Sequence, residues 1–511
     1  LQTTTASYNA YSDARWVDLR ASFRLVDTDA YTDATAAASA SETISQLTQT
    51  HDATESMGNK WATLETSGWP LDGTMQIMPD SVTGEQTGWW SGLSGAEGTF
   101  TTPPTLTFSF AENHTSVGFT IIFDDKANMY PDEIMVEAYD SFDVLIDDLT
   151  INCTSVVQVI DLPVTDYRKI ITTFNSTQEG YQRVRVSEVI FGIVQYFDKD
   201  NIKSSSLLYE LSPMAEALPS SELTITFDNS DTKYNMLSPS SVYSYLQQGQ
   251  EINVEIGVGS SKTGLEYVNM GKFYFAKSEA QDASLTAKIT AYDKFYQLEK
   301  SICRIGTTGT DTVTNLVAAV ITDSGLSITT EIPSATGALT INKCIPSTAT
   351  HREALRLIAQ AAMTTCYFDR DGKLIFKEIA ANTSTDTLDN DNMASVAKVS
   401  IEDRVNTVEL TVNNEFAETE DIYTASDVTA GETAQVLSVN NPLGNQDTAD
   451  WLLVMAQKRV IYDLIERGNP ARETTDTITI YDAYNVNGDA VIIKEDFIYK
   501  GGLTFSTRGW A

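Results

Sequence analysis

The amino-acid sequence predicts a mainly β protein with small α+β parts. Many short stretches alternate apolar and polar residues between Gly, Asn and Asp turns, as in Thr105 to Phe110 (TLTFSF) and Glu222 to Asp228 (ELTITFD). That is the pattern of half-buried strands. Helical periodicity is confined to a few well-capped segments. The 511 residues allow three or four cores at a prior of about 150 residues per domain.

Composition excludes several classes of function. With 70 acidic against 34 basic residues the net charge is −36, and such a surface repels phosphate backbones and anionic lipids. Sequence-specific nucleic-acid binding is therefore not expected. The four cysteines (Cys153, Cys303, Cys344, Cys366) are far apart with no CxxC pair, and there are only three histidines. No zinc spacing can be assembled from them, so no metal ligands and no cofactor are predicted. Buried free thiols fit assembly in a reducing cytoplasm. No apolar run approaches the roughly 18 residues of a membrane span, and the first residues lack the basic and apolar regions of a signal peptide. The chain starts at Leu1 rather than Met, which leaves room for a missing leader. Without an export signal, the sequons at Asn113, Asn152 and Asn175 read as chance.

Taken in order, Arg15 to Leu25 alternates as a half-buried strand, Tyr31 to Ser41 reads as a loop, and Glu42 to His51 as a further strand. Between about Lys60 and Gly192 lies a self-contained block. It holds GWPLDG, the turn Gly88-Trp89-Trp90-Ser91-Gly92, and strands at Thr105–Phe110, Val117–Phe123, Ile134–Tyr139, Val156–Leu162, Lys169–Phe174 and Arg183–Phe191. Short strands at this spacing argue for a β-sandwich. Trp89 and Trp90 stand together in this turn, and the plainer reading makes them core. The pairs Asp124-Asp125 and Asp147-Asp148 could supply oxygens for Ca²⁺, which needs six or more, against the plainer reading of solvated turn carboxylates.

Strand patterning resumes at Glu222 to Asp228, Ile252 to Val258, Tyr267 to Ala276 and Leu285 to Tyr292, with Pro239 to Leu246 between. Asp311 is placed to cap a helix carrying Val313, Leu316, Val317, Val320 and Ile321, with Gly325 as its left-handed C-cap. Thr350 and Glu353 have capping-box spacing, so a second helix begins at His351 with Leu355, Ile358, Ala359 and Ala362 as its stripe. Cys366 to Phe376 follows as a hairpin turning at Asp371-Gly372. His351 reads as a cap-region polar contact. Asp386 to Asn392 lacks the closing Glu of a calcium loop and reads as a linker. Ile401 to Val412 and Val436 to Val439 are strands. Asp447 should cap a long helix through Arg467, striped by Leu453, Ala456, Val460 and Leu464 and stopped by Gly468 and Pro470. Four strands from Thr477 to Arg508 finish the chain.

Two family resemblances rest on these stretches. The Trp-containing early loop, TLTFSF, the Pro131-Asp132-Glu133-Ile134 lead into a strand and the late RVRVSEVIFG resemble the discoidin (F5/8 type C) galactose-binding jelly roll. That resemblance implies loops at one end able to take sugars or lipid head groups, with Trp89 and Trp90 as the candidate glycan contacts if exposed, since an aromatic face can stack on a sugar. The ordered set ELTITFDNSDTKYN, YSYLQQGQEINVEIGV, YVNMGKFYFAKSEAQDASLTAKITAYDKFYQLEK, THREALRLIAQAAMTTCYFDRDGKLIF and DAVIIKEDFIYKGGLTFSTRG resembles the tail-tip or baseplate hub proteins of long-tailed bacteriophages. It implies two hub-type β-barrel domains, an inserted β-sandwich jelly roll and a small α/β domain. The expected division is 1–56 (first part of hub barrel 1), 57–192 (jelly roll), 193–302 (rest of barrel 1), 303–397 (small α+β domain) and 398–511 (barrel 2 with one long helix).

The resemblance further implies a structural virion protein and not an enzyme. It implies a homotrimer forming a pseudo-sixfold ring, joined to distal tail and tape-measure proteins and to receptor-binding or fibre proteins. It would be assembled in the host cytoplasm and located at the virion tail tip, with DNA passing the lumen and a host surface glycan as a further partner; separately, the net negative charge leads to the expectation that carboxylates line that lumen. The alternatives are a tail-associated cell-wall hydrolase, a sixfold distal tail ring protein and a secreted carbohydrate-binding protein. No GxSxG or HExxH motif supports the hydrolase, and no catalytic residues are predicted.

Overall fold

The computed structural model describes residues 2–4, 16–52, 56–69, 72–78, 84–235, 237–238, 242, 246–260, 264–280, 285–306, 308–380, 383–389, 392–414, 418–429, 432–481 and 487–511. Strands take 47% of the chain and helices 11%, in keeping with the mainly β expectation. Most of Pro239 to Leu246 lies outside the described residues, as do Arg15, Asn390 and Asp391. The chain divides into two compact units: Phe23–Gln195 with Pro239–Gln250, and Leu1–Ser22 with Tyr196–Ser238 and Glu251–Ala511.

The Phe23–Gln195 unit is a two-sheet sandwich. One sheet orders Thr35–Ala38, Thr105–Ser116, Val164–Thr177, Pro131–Tyr139 and Leu145–Asn152; the other orders Trp89–Trp90, Arg185–Ile190, Phe119–Phe123 and Val157–Ile160. Alternation explains the packing: Leu106, Phe108 and Phe110 point inward while Thr105, Thr107 and Ser109 stay at the surface. They meet Phe119, Ile121, Phe123, Ile134, Val136 and Phe174 in one core, with Phe110 edge-on to Tyr167 at 5.3 Å. Each buried aliphatic or aromatic side chain contributes about 1.5–3 kcal/mol.

This unit begins earlier than position 57. Thr35–Ala38 pairs with Thr105–Ser116, and the Asp27 N–H donates to the Phe191 carbonyl at 3.0 Å, tying the two ends of the sandwich together. The stretch expected as a loop thus holds a short helix, Thr28–Asp33, and a strand. The strand expected within 42–51 is a 3-10 turn, Leu47–His51. Ala and Thr carry little side-chain signal, so only cross-strand pairing reveals the order there.

In the other unit a long sheet orders Glu251–Ser260, Gly264–Ala280, Thr286–Tyr292, Glu222–Asp228, Ile202–Glu210, Asn487–Tyr499, Leu503–Trp510, Val460–Glu466 and Lys398–Ile401. The segments expected to form separate barrels are therefore hydrogen-bonded to each other where Ile202–Glu210 pairs antiparallel with Asn487–Tyr499. Not all of 398–511 joins that sheet. Thr407–Asn414, Thr419–Ser426 and Val436–Asn440 make a sheet of their own, and Val408 and Leu410 pack under Ala449 and Leu452 of the helix Gln446–Ala456.

That helix is capped by Asn445 rather than Asp447, with a reciprocal Asn445–Thr448 box, and ends at Ala456. Val460–Glu466 is a strand between Leu503–Trp510 and Lys398–Ile401. Asp386–Leu388, expected within a linker, pairs in parallel with Thr477–Tyr481. The small α+β part forms as expected. Helix Val313–Ser324, capped by Thr312 in place of Asp311, and helix His351–Ala361, capped by Thr350, bury Leu316, Val320, Leu355 and Ile358 against Phe368 and Phe376. The hairpin closes at Gly372, whose φ of +80° suits glycine. Among the described residues no helix is long and apolar enough to cross a membrane.

Candidate functional site at the loop end of the sandwich

Arg185 lies on the strand Arg185–Ile190 with its side chain fully buried. Its Nη1 donates to Asp124 Oδ2 at 2.6 Å, and its Nη2 donates to Glu65 Oε1 at 3.0 Å and Thr63 Oγ1 at 3.1 Å. The guanidinium also stacks over the Trp90 indole, 4.1 Å from the ring centroid. Breaking a buried pair of this kind costs about 3–5 kcal/mol, because a charge is left uncompensated. The cluster is thus a rigid floor that holds the loop carrying Thr63 and Glu65.

Above it Arg183 bonds to Glu42 and to the Ser91 carbonyl, and reaches Glu65 at 3.8 Å. Glu42, Glu65, Arg183, Trp90, Leu64 and Leu93 border a cleft of about 240 Å³. Leu64 is 94% exposed and Leu93 47%. Two exposed aromatics sit on adjoining loops: Trp69, 48% exposed, and Tyr181, 56% exposed. The loops are joined by the Thr66 N–H donating to the Tyr181 carbonyl at 3.2 Å, and Gln182 Nε2 donates to the Thr66 carbonyl at 3.3 Å. Exposed aromatic faces, carboxylates and guanidinium donors are the kinds of group that bind a polyhydroxylated ring: C–H faces stack, and hydroxyls pair with charged oxygens and N–H groups.

Trp89 and Trp90 do not supply those faces. Both are 0% exposed. Trp89 packs on Phe174 at 5.3 Å between centroids, and its Nε1 donates to the Ala40 carbonyl at 3.1 Å. Trp90 Nε1 donates to the Thr87 carbonyl at 2.6 Å. Gly88 presses so close that a Cβ there would stand 2.1 Å from the Val186 carbonyl oxygen. This approach seats the Trp pair in the second sheet, so stacking by either ring gives way to a core role.

The acidic pairs are likewise engaged or dispersed. Asp124 is held by Arg185 and the Ala127 N–H. Asp125 accepts from Ser56 Oγ at 2.7 Å and the Met57 N–H at 3.0 Å, while Asp147 and Asp148 lie on the exposed edge strand Leu145–Asn152. Spacing did not single out Trp69 or Tyr181. The available signal was an aromatic inside a Gly-Trp-Pro turn, which strand alternation does not explain.

No protein-family model matches the sequence, and no curated protein matches it. Solved structures with a similar arrangement fall into two groups. Over most of the chain the neighbours are phage tail proteins. A tail protein from Neisseria meningitidis covers 62% of this chain and 94% of its own at 11% identity and TM-score 0.44. The 43 kDa tail protein of prophage MuSo2 from Shewanella oneidensis covers 62% and 93% at 14% identity and TM-score 0.44. Over a smaller part the neighbours are carbohydrate-binding modules: the family 32 module of NanJ from C. perfringens, solved with galactose, covers 34% of this chain and 99% of its own at 15% identity and TM-score 0.22.

Proposed function

We propose that this chain is a structural component of a phage tail tip, a hub carrying a glycan-binding sandwich for host adsorption, and that it works by assembly and binding without catalysis. The observation that supports the hub reading is the continuous sheet made by strands far apart in sequence, with Ile202–Glu210 joined to Asn487–Tyr499. The segments that resemble the hub family fall on this sheet and on the helix–hairpin core beside it. In this reading three copies form a ring that meets the distal tail and tape-measure proteins on one side and receptor-binding or fibre proteins on the other. The mass of the purified protein should be that of a trimer, and imaging of assembled particles should find it at the tail tip. A monomer absent from particles would overturn the reading.

The glycan reading rests on the exposed Trp69 and Tyr181, whose loops are joined by the Thr66 N–H bond to the Tyr181 carbonyl. Trp69→Ala is expected to weaken adsorption to host cells about tenfold or more while leaving the melting temperature unchanged, in line with the loss of a central aromatic contact. Trp89→Ala, by contrast, should cost about 3–5 kcal/mol of stability. Unchanged adsorption by both Trp69→Ala and Tyr181→Ala would exclude this loop end as the binding face.

A further inference from the structure

His351, the first residue of helix His351–Ala361, is only 2% exposed. Its Nδ1 lies 3.0 Å from the Ser301 carbonyl oxygen and 3.0 Å from Ser301 Oγ. A carbonyl can only accept, so this contact places a proton on Nδ1 and makes Nε2, turned toward Asp323, the nitrogen available to ligate. Nε2 stands 2.9 Å from Asp323 Oδ2. Asp323 lies in the last turn of helix Val313–Ser324, and the same oxygen accepts the Arg304 N–H at 2.7 Å. Cys303, 5% exposed, brings its thiol to the same point: one ligand atom from each of Cys303, Asp323 and His351 lies within 4.8 Å of the others.

A lone pair on Nε2 facing a carboxylate requires positive charge between them. A second ring proton would meet that need for the histidine and aspartate alone. A divalent cation meets it for all three groups and makes use of the sulfur. Thiolate, imidazole and carboxylate together suit an ion of zinc's borderline softness and not Ca²⁺ or Mg²⁺, which take oxygen. The neighbouring groups are those that orient such ligands: the Ser301 carbonyl on the far ring nitrogen and the Arg304 N–H on the carboxylate. The Asp323 side chain retains 29% exposure, which opens a path for the ion.

We propose that Cys303, Asp323 and His351 form a Zn²⁺ site that staples three segments of the small α+β part: the strand of chain at 301–304, the end of one helix and the start of the next. Burial pushes the Cys303 thiol up, although the Ile305 backbone N–H favours its thiolate. Binding therefore releases the thiol proton to solvent as the sulfur–metal bond forms. The three residues are 20 and 28 positions apart in sequence, outside any zinc spacing, so only the packing of the two helices brings them together.

The test uses the full chain stripped with chelator and titrated with Co²⁺ alone, then with Zn²⁺. The expected result is a sulfur-to-cobalt charge-transfer band in the near ultraviolet that saturates at one ion per chain and is bleached by Zn²⁺. Cys303→Ser should abolish the band. Asp323→Asn, at a position still open to solvent, should keep the metal-free fold by circular dichroism and weaken Co²⁺ binding at least about tenfold. A wild-type chain with no charge-transfer band overturns the proposal, as does a Cys303→Ser chain that keeps the band.

Discussion

His114 shows how one residue couples the sandwich to pH. Its Nδ1 lies 2.8 Å from Asp27 Oδ2 and its Nε2 3.0 Å from Asp33 Oδ2, so with two acceptors the ring is a double donor. Burial is the largest influence and opposes the charge. The hydrogen bonds to Asp33 and Asp27 outweigh it, and the net shift is upward. A histidine raised in the folded state stabilises fully below its unfolded value of about 6.5, and that stability is lost as pH rises through the folded value. Asp33 is held low, first by the Glu112 N–H and then by His114; its contribution is present above about 3.9 and is lost as pH falls. The sandwich's urea midpoint is therefore expected to be highest between about pH 4 and 6.5 and to decline toward alkaline pH. His114→Gln should flatten that decline, and an undiminished slope in the variant would assign the titration to other groups.

Among the elements, helix His351–Ala361 was the most legible. Its cap Thr350 accepts the Glu353 N–H at 3.2 Å, and Leu355, Ile358, Ala359 and Ala362 are all buried. Thr350→Ala should cost about 1 kcal/mol, read as a shift in denaturation midpoint; no shift would mean that water replaces the cap. The segment after Ala456 was misread for a physical reason. Val460 and Leu464 sit at helical spacing from Leu453 and Ala456, but in the strand Ile461 and Leu464 are buried on opposite faces, in two different clusters. Its two hydrogen-bonded neighbours, both remote in sequence, decide between these periods. Trp69 and Tyr181 were invisible for a related reason, since a loop aromatic acquires meaning only when another loop is folded beside it.

At the scale of the whole molecule, charge dominates. A net −36 per chain makes any ring of copies self-repelling, and the repulsion is long-ranged when salt is low. Association is expected to weaken as salt is removed and to strengthen as it is added, read by mass in solution. The reverse trend would point to an interface built on opposite charges.

By itself the sequence determined the mainly β class, the sandwich strands from Thr105 onward apart from Leu145–Asn152, the two helices around Leu316 and Ile358 and the hairpin at Gly372. Each of these rests on local periodicity, capping or turn chemistry within a dozen or so residues. Tertiary structure alone decided that Thr35–Ala38 belongs to the sandwich and that Ile202–Glu210 pairs with Asn487–Tyr499. It also decided that Trp89 and Trp90 are core while Trp69 and Tyr181 face solvent, and that Cys303, Asp323 and His351 share one site. These depend on contacts between residues remote in the chain, for which no local pattern carries a signal.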